Sequence, residues 1–246
     1  MKPVAVIPAY NEASTLHGVV AGAQPWVDAV IVVDDGSTDG TGDCLGSMPE
    51  NVCVLRHEHN RGKAAALATG FRHALELGAT HVVTLDADGQ HRPEDIPRLL
   101  AAAADDPPAV VIGERQDKRS AAPAARRMAN HFADFWISLA AGRRIRDSQS
   151  GFRVYPAELL RDGRFPLSRS AEGFVLETEL LVAAAYLGYP LRYVPIDSLY
   201  PQAARPSHYR AVHDTTQITL AVARMLLDPR LMLPRLRLLL GGRARG

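Results

Sequence analysis

The feature that most constrains this chain is a rhythm in its first half. Short apolar runs rich in β-branched residues occur at Val4–Ile7, Val30–Val33, Val52–Leu55, Val82–Leu85 and Val110–Ile112. Each has about the length of a strand and is nearly continuous rather than alternating, the pattern of strands covered on both faces. Between them lie helix-like stretches, Ser14–Ala23, Thr38–Leu45, Lys63–Leu77 and Glu94–Ala104. Ser37 or Thr38 is placed to cap the second, and Pro93 suits a first helical position ahead of Glu94 and Asp95. Strand and helix in alternation predict an α/β fold: a mostly parallel central sheet flanked by helices and joined by right-handed crossovers.

Ligands of such sheets bind beyond the carboxyl ends of the strands. Those ends read Pro8-Ala9-Tyr10-Asn11-Glu12, Asp34-Asp35-Gly36-Ser37, His57-Glu58-His59-Asn60 and Asp86-Ala87-Asp88-Gly89-Gln90, so polar, turn-forming residues gather on one rim. The second half is less regular. It predicts a helix over Ala124–Ala141, a basic loop Arg143–Gly151 and a short strand Phe152–Tyr155. A helix Phe174–Leu187 and a strand Leu191–Pro195 follow, then a Pro-, Arg- and His-rich loop Tyr200–Arg210 and an apolar helix near Thr215–Leu227. Asp228-Pro229 breaks that helix, which sets one domain over residues 1–227 and a basic, amphipathic tail over 228–246.

Composition narrows the class. A length of 246 residues suits one large domain, and 47% hydrophobic residues exclude disorder. With 28 Lys+Arg against 27 Asp+Glu, the chain lacks the basic excess of a general nucleic-acid binder. Cys44 and Cys53 are too few for a disulfide framework or a zinc site. The start MKPVAVIPAY lacks the order of a secretion signal, and no apolar run reaches the ~18 residues of a spanning helix. The expectation is a soluble, cytoplasmic protein.

Asp86-Ala87-Asp88 is the centre of the chemical reading. Two carboxylates two residues apart, just past a buried strand, can both approach one hard divalent cation. Such ions take oxygen ligands and share them with substrate phosphates. Gln90 offers a further neutral oxygen. Taken alone, the pair serves equally well as turn-forming aspartates. Asp34-Asp35 forms a second acidic strand end, suited to a ribose hydroxyl or a base edge. No Gly-X-Gly-X-X-Gly follows the first strand, and Asn60-Arg61-Gly62-Lys63 is too short for a Walker loop. A Rossmann dehydrogenase and a P-loop kinase are therefore disfavoured.

Taken together, Pro8-Ala9-Tyr10-Asn11-Glu12, Val33–Asp39, Asn60-Arg61-Gly62-Lys63, Asp86–Gln90 and Gln149-Ser150-Gly151-Phe152-Arg153 resemble family 2 glycosyltransferases, in the order that family shows them. The likeness is closest to the dolichol-phosphate mannosyltransferase-like, polyprenyl-phosphate branch and covers roughly Val4 to Arg210. It implies a GT-A fold with C-terminal amphipathic helices, a nucleoside-diphosphate-sugar donor, Mg²⁺ or Mn²⁺, and inversion at the anomeric carbon. It assigns Pro8, Tyr10, Glu12, Asp34, Asp35, Lys63 and Asp86 to the nucleotide sugar, and Asp86, Asp88 and Gln90 to the metal. Asp88, Arg115, Asp147 and Arg205 become the catalytic set. Arg127, Ser150, Gly151, Arg153, Glu177, Glu179, Ser207 and His208 become the acceptor side.

A metal that neutralises the diphosphate makes it a better leaving group. A lipid-phosphate acceptor is already anionic and needs no general base, whereas an alcohol needs one, for which Asp147 is the candidate. The chain departs from the branch at Arg205-Pro206-Ser207-His208, where His208 stands in place of an expected lysine. That substitution bears on the acceptor more than on the donor. Leucines and arginines mix over Arg230–Arg243, which suits a helix lying on an anionic membrane surface and equally one packed on the domain or at an oligomer contact; the first places the protein peripherally, on the inner face of the cell membrane. Three rival readings are transfer to a saccharide or small alcohol, a nucleotide-sugar-binding protein without turnover, and a nucleotidyltransferase.

Overall fold

The computed structural model describes residues 1–46, 49–116, 124–163, 175–197, 199, 219–220 and 222–226, with backbone alone over 124–132. All five apolar runs become strands: β1 (Pro3–Ala9), β2 (Ala29–Asp34), β3 (Val52–Arg56), β4 (His81–Thr84) and β5 (Val110–Arg115). The early helices are α1 (Leu16–Ala23), α2 (Lys63–Glu76) and α3 (Ile96–Ala103). Pro93 opens a single 3₁₀ turn, Pro93–Asp95, that leads into α3, as its fixed φ favours. The second half adds α4 (Ala124–Ala141), β6 (Arg153–Pro156), α5 (Ala157–Arg161), α6 (Val175–Tyr186) and β7 (Leu191–Ile196). Residues 222–226 are helical, with Val222 and Met225 buried.

The strands form one seven-stranded sheet in the order β3-β2-β1-β4-β6-β5-β7. Pairing is parallel except at β6, which runs antiparallel to both β4 and β5. Side chains of a strand alternate between faces, and here both faces are covered. Val4, Val6, Ile31 and Val33 pack with α2, α4 and α6, whereas Ala5, Ile7, Val30 and Val32 pack with α1 and α3. Each fully buried Ile or Leu in these layers contributes roughly 2 kcal/mol relative to exposure. Gly70 lets α2 lie against β1, because a Cβ there would collide with Val6 Cγ1. Helix α6 is buried all round, including Glu177, Thr178 and Glu179.

One sequence expectation is corrected. Thr38–Leu45 is not a helix but a series of turns, with Asp43 N and Cys44 N both donating to Gly40 O at 3.0 Å. Side chains compete there for the backbone: Thr38 N donates to Asn11 Oδ1 (2.9 Å) and Thr41 N to Asp39 Oδ1 (3.0 Å). Ser37 and Thr38 therefore cap no helix. The predicted short strand Phe152–Tyr155 is present one residue later, as β6, and inserts between β4 and β5 in the sheet. Its reversed direction carries function: with Thr84 opposite Arg153, the residues that lead into β6 arrive at the carboxyl end of β4. The predicted loop Tyr200–Arg210 and the tail 228–246 lie outside the described residues.

Candidate active site

The rim is built from the ends of β1, β2 and β4, stitched together by side chains. After β1, Asn11 adopts a left-handed backbone (φ 56°), and its N–H donates to Ser37 Oγ (2.9 Å). Glu12 N donates to Thr41 Oγ1 (2.8 Å), and Ala13 N to Asp39 Oδ2 (3.2 Å). Tyr10 and Glu12 thus border the β2 turn, and both keep partial exposure. Gly36 (φ 73°) is required: a Cβ would lie 2.5 Å from the His59 carbonyl carbon.

Asp34 and Asp35 point into this stitching. Asp34 is fully buried, accepts from Ser37 N (2.9 Å) and lies 3.2 Å from Arg56 Nε. Asp35 Oδ1 lies 2.6 Å from His57 Nδ1 and accepts from Arg61 N (3.0 Å), while Oδ2 accepts from Gly62 N (2.7 Å). Asp35 therefore anchors the Asn60–Lys63 loop to β2 and fixes where α2 begins.

Lys63, the first residue of α2, crosses to β4. Its Nζ lies 2.6 Å from Asp86 Oδ1 and 3.3 Å from Glu177 Oε2. Burial opposes its charge, but Asp86 and Glu177 outweigh that and raise its pKa. Burial likewise opposes ionisation of Asp86, yet Lys63, then His91 and Arg115, hold its pKa down at about 2. Asp88 goes the other way: burial, reinforced by the charge of Asp86, lifts it to about 6. Gln90 N donates to Asp88 Oδ1 (2.9 Å), and Gln90 O accepts from Leu199 N (2.9 Å).

Two carboxylates, one of them poorly compensated, are the donor set of a hard divalent ion that takes its remaining ligands from phosphate oxygens and water. The Asp86–Asp88 turn fits such an ion held jointly with substrate. Among the described residues, no cluster of three His, Cys, Asp or Glu side chains is arranged to cage one without substrate.

The far side of the rim comes from β5 and the loop before β6. Arg115 and Asp147 form a bidentate pair, Nε to Oδ2 at 3.1 Å and Nη2 to Oδ1 at 2.8 Å, with Arg115 N also donating to Oδ2 (2.9 Å). Asp147 takes a left-handed backbone (φ 48°), and Ser150 N closes the turn on its carbonyl (3.0 Å). Ser150 is fully buried, with no hydrogen-bond partner for its hydroxyl among the described residues. Gly151 packs its backbone on Asp86, where a Cβ would come within 2.5 Å of Oδ2. Arg153 is only 1% exposed and donates inward to Ser148 O (2.6 Å), Glu177 O (2.9 Å) and Tyr155 Oη (3.0 Å). Glu179 is buried beside Glu177 on α6.

The structure thus brings Pro8, Tyr10, Glu12, Lys63, Asp86, Asp88, Gln90, Arg115, Asp147, Ser150 and Gly151 to one end of the sheet. Asp34, Asp35, Arg153 and Glu179 lie beneath it as buried residues. Arg205, Ser207 and His208 lie outside the described residues, as does the side chain of Arg127. Sequence reasoning missed Thr41 and Asp39, which lock the β1 turn, and His91. His91 is 4% exposed, stacks at 5.3 Å on Phe152, and has no hydrogen-bond partner for Nδ1 among the described residues. Burial pushes its pKa down to about 4. Its place one residue after Gln90 was the available signal.

A doubly covered, mostly parallel sheet with paired carboxylates at the end of β4 is the layout of a GT-A glycosyltransferase. The family model described as Glycosyl transferase family 2 matches residues 4–164. The chain belongs to glycosyltransferase family 2. It is 34% identical over 205 residues to the undecaprenyl-phosphate mannosyltransferase of Micrococcus luteus, covering 80% of this chain and 83% of that protein. It is 32% identical over 218 residues to the UDP-N-acetylglucosamine–dolichyl-phosphate N-acetylglucosaminyltransferase of Methanococcus voltae, covering 80% and 85%. Among solved structures, glucosyl-3-phosphoglycerate synthase from Mycobacterium tuberculosis, in complex with Mn²⁺, UDP and phosphoglyceric acid, superposes with a TM-score of 0.69. The match has 21% identity and covers 94% of this chain and 78% of that one. Among the described residues, no helix is long and apolar enough to cross a membrane.

Proposed function

We propose that this glycosyltransferase moves a sugar from a nucleoside diphosphate to a polyprenyl phosphate, with inversion and with a divalent cation, Mg²⁺ or Mn²⁺. The observation that carries this reading is the Arg115–Asp147 pair, facing Asp86 and Asp88 across one rim. Asp147 presents both oxygens to three N–H donors, so it orients Arg115 rather than standing ready to take a proton. An aligned guanidinium matches an acceptor that is itself a phosphate. Such an acceptor needs no general base, and a single in-line attack on the anomeric carbon inverts it. The names of the relatives in Micrococcus luteus and Methanococcus voltae point to the same acceptor class.

Asp86 and Asp88 would hold the cation beside the donor diphosphate. When bound, the ion supplies charge neutralisation of the leaving group. Tyr10 and Glu12 flank the nucleoside, the Asp34–Asp35 turn supports that pocket from beneath, and Arg115 steadies the incoming phosphate. The Leu/Arg tail 228–246 would hold the enzyme on an anionic membrane surface, peripheral on the inner face of the cell membrane, at about 1 kcal/mol per basic residue.

Incubation of the protein with GDP- and UDP-sugars, undecaprenyl phosphate and Mn²⁺ tests this reading. Expected are a lipid-linked sugar of inverted configuration and its loss in EDTA. Transfer only to free saccharides, or full activity in EDTA, would overturn the acceptor or the metal assignment respectively. Liposome co-sedimentation of the full chain and a 1–227 truncation tests the tail: equal sedimentation at low salt would remove it from membrane attachment.

A further inference from the structure

Lys63 is where the two sides of the rim meet. Its ammonium sits 2.6 Å from Asp86 Oδ1, on a carboxylate assigned above to the cation, and 3.3 Å from Glu177 Oε2. The two contacts are unequal. The first is a short charge-assisted bond. The second is a longer ion pair, to a Glu177 oxygen that has Lys63 as its cation. A buried carboxylate holding its cation at this longer distance gains from a closer approach. Glu177 thus offers the ammonium a second carboxylate within reach of its present position.

Asp86 is packed on its other side. The Gly151 backbone lies so close that a Cβ there would be 2.5 Å and 2.8 Å from the two carboxylate oxygens. Thr84 Oγ1 donates to Gly151 O (2.8 Å) and holds that backbone just ahead of β6. Lys63 has the opposite character, a point charge on a flexible four-carbon stem. When a divalent ion arrives at Asp86, the lysine has both the freedom and the destination to move.

We propose that Lys63 is a place-holding cation: it neutralises Asp86 while no divalent ion is bound and withdraws to Glu177 when one binds. The proposal rests on the metal-dependent reading and deepens it. Glu177 then acts as a positioning residue for the donor side, through Lys63. The device keeps Asp86 ionised and aimed, and sets a competition that binding of the ion must win.

The test is Mn²⁺ binding to the full chain without nucleotide, followed by the electron paramagnetic resonance signal of free Mn²⁺. Lys63→Met should bind Mn²⁺ roughly tenfold more tightly, because the competing ammonium is gone. Glu177→Gln should weaken binding several-fold, because the ammonium loses its alternative and stays on Asp86. In the double variant, Glu177→Gln should cost markedly less than it does alone. General damage to the site lowers affinity, so a gain in Lys63→Met is a signature that a merely structural lysine does not produce. Lys63→Gln serves if the methionine variant fails to fold, with the same expected gain. Unchanged or weaker Mn²⁺ binding on loss of Lys63, or an equal effect of Glu177→Gln in both backgrounds, would overturn the proposal. Failure of the metal reading shows separately, as full wild-type turnover in EDTA.

Discussion

The two sides of the rim are built in different ways. The donor side uses the ends of β1, β2 and β4, strands that follow one another in parallel, and its polar residues sit in turns just past each strand. The far side depends on one reversed strand. Because β6 runs antiparallel between β4 and β5, the loop Asp147–Phe152 enters from the carboxyl end and lies against Asp86. The first side keeps Tyr10, Glu12, Asp86, Asp88 and Gln90 partly exposed above a buried Asp34–Asp35 footing. The second buries a large share, with Arg153, Glu177 and Glu179 all inside. A polar residue at the end of a parallel strand thus either reaches the open rim, as Asp86 and Asp88 do, or braces it from below, as Asp34 and Asp35 do, whereas Arg153 in the reversed strand is a brace alone.

The largest test of that contrast is Asp88→Ala, which removes a turn carboxylate from the donor side. Turnover should fall about 10³-fold, with thermal stability kept, since the like-charge conflict with Asp86 is relieved. A rate within tenfold of wild type would take Asp88 out of the site. Next comes Arg115→Met, expected to lower kcat/KM about 100-fold and to cost about 3 kcal/mol, because it leaves Asp147 charged at 2% exposure. Urea titration beside initial rates separates the two effects. Asp147→Asn in the same chain should recover much of the stability and little of the rate.

Arg153→Met tests the bracing claim directly. It strands Ser148 O and Glu177 O, so a loss of about 2–3 kcal/mol is expected, with the KM for lipid phosphate unchanged in enzyme that remains folded. A raised KM with intact stability would make Arg153 a ligand residue and dissolve the contrast.

The smallest effect is in pH. His91 stays neutral down to about 4 in the fold but protonates near 6.5 when unfolded. The unfolded state therefore gains protons first, and stability falls as pH drops from about 6.5 towards 4. Asp88 works the other way without metal: the folded state keeps its proton up to about 6, so its contribution is lost as pH rises from about 4 to 6. Because the Asp88 effect opposes it, His91→Leu should leave a urea midpoint that rises on acidification from about pH 6 to 5, where the wild type stays nearly level. An unchanged slope would mean that His91 titrates as it does in solvent.

Much of this was legible in the chain. The continuous β-branched runs became β1 to β5, since both faces of a parallel sheet are buried and the pattern shows directly in composition. Asp86, Asp88 and the Asp34–Asp35 turn were placed at strand ends for the same reason. The segment Thr38–Leu45 was not legible: its helical look was overruled by Asn11, which takes the Thr38 amide from 27 residues away, together with Asp39, which takes that of Thr41 within the segment.

What the sequence alone determined is the order of strands and helices, the family and the acidic strand ends, because these depend on local periodicity and on turns only a few residues long. Tertiary structure decided the reversal of β6, the pairing of Arg115 with Asp147 across 32 residues, and the meeting of Lys63, Asp86 and Glu177. The physical reason is one of range. A side chain's periodicity reports which face it buries, but not which distant charge waits there, and a buried charge is settled only by its partner.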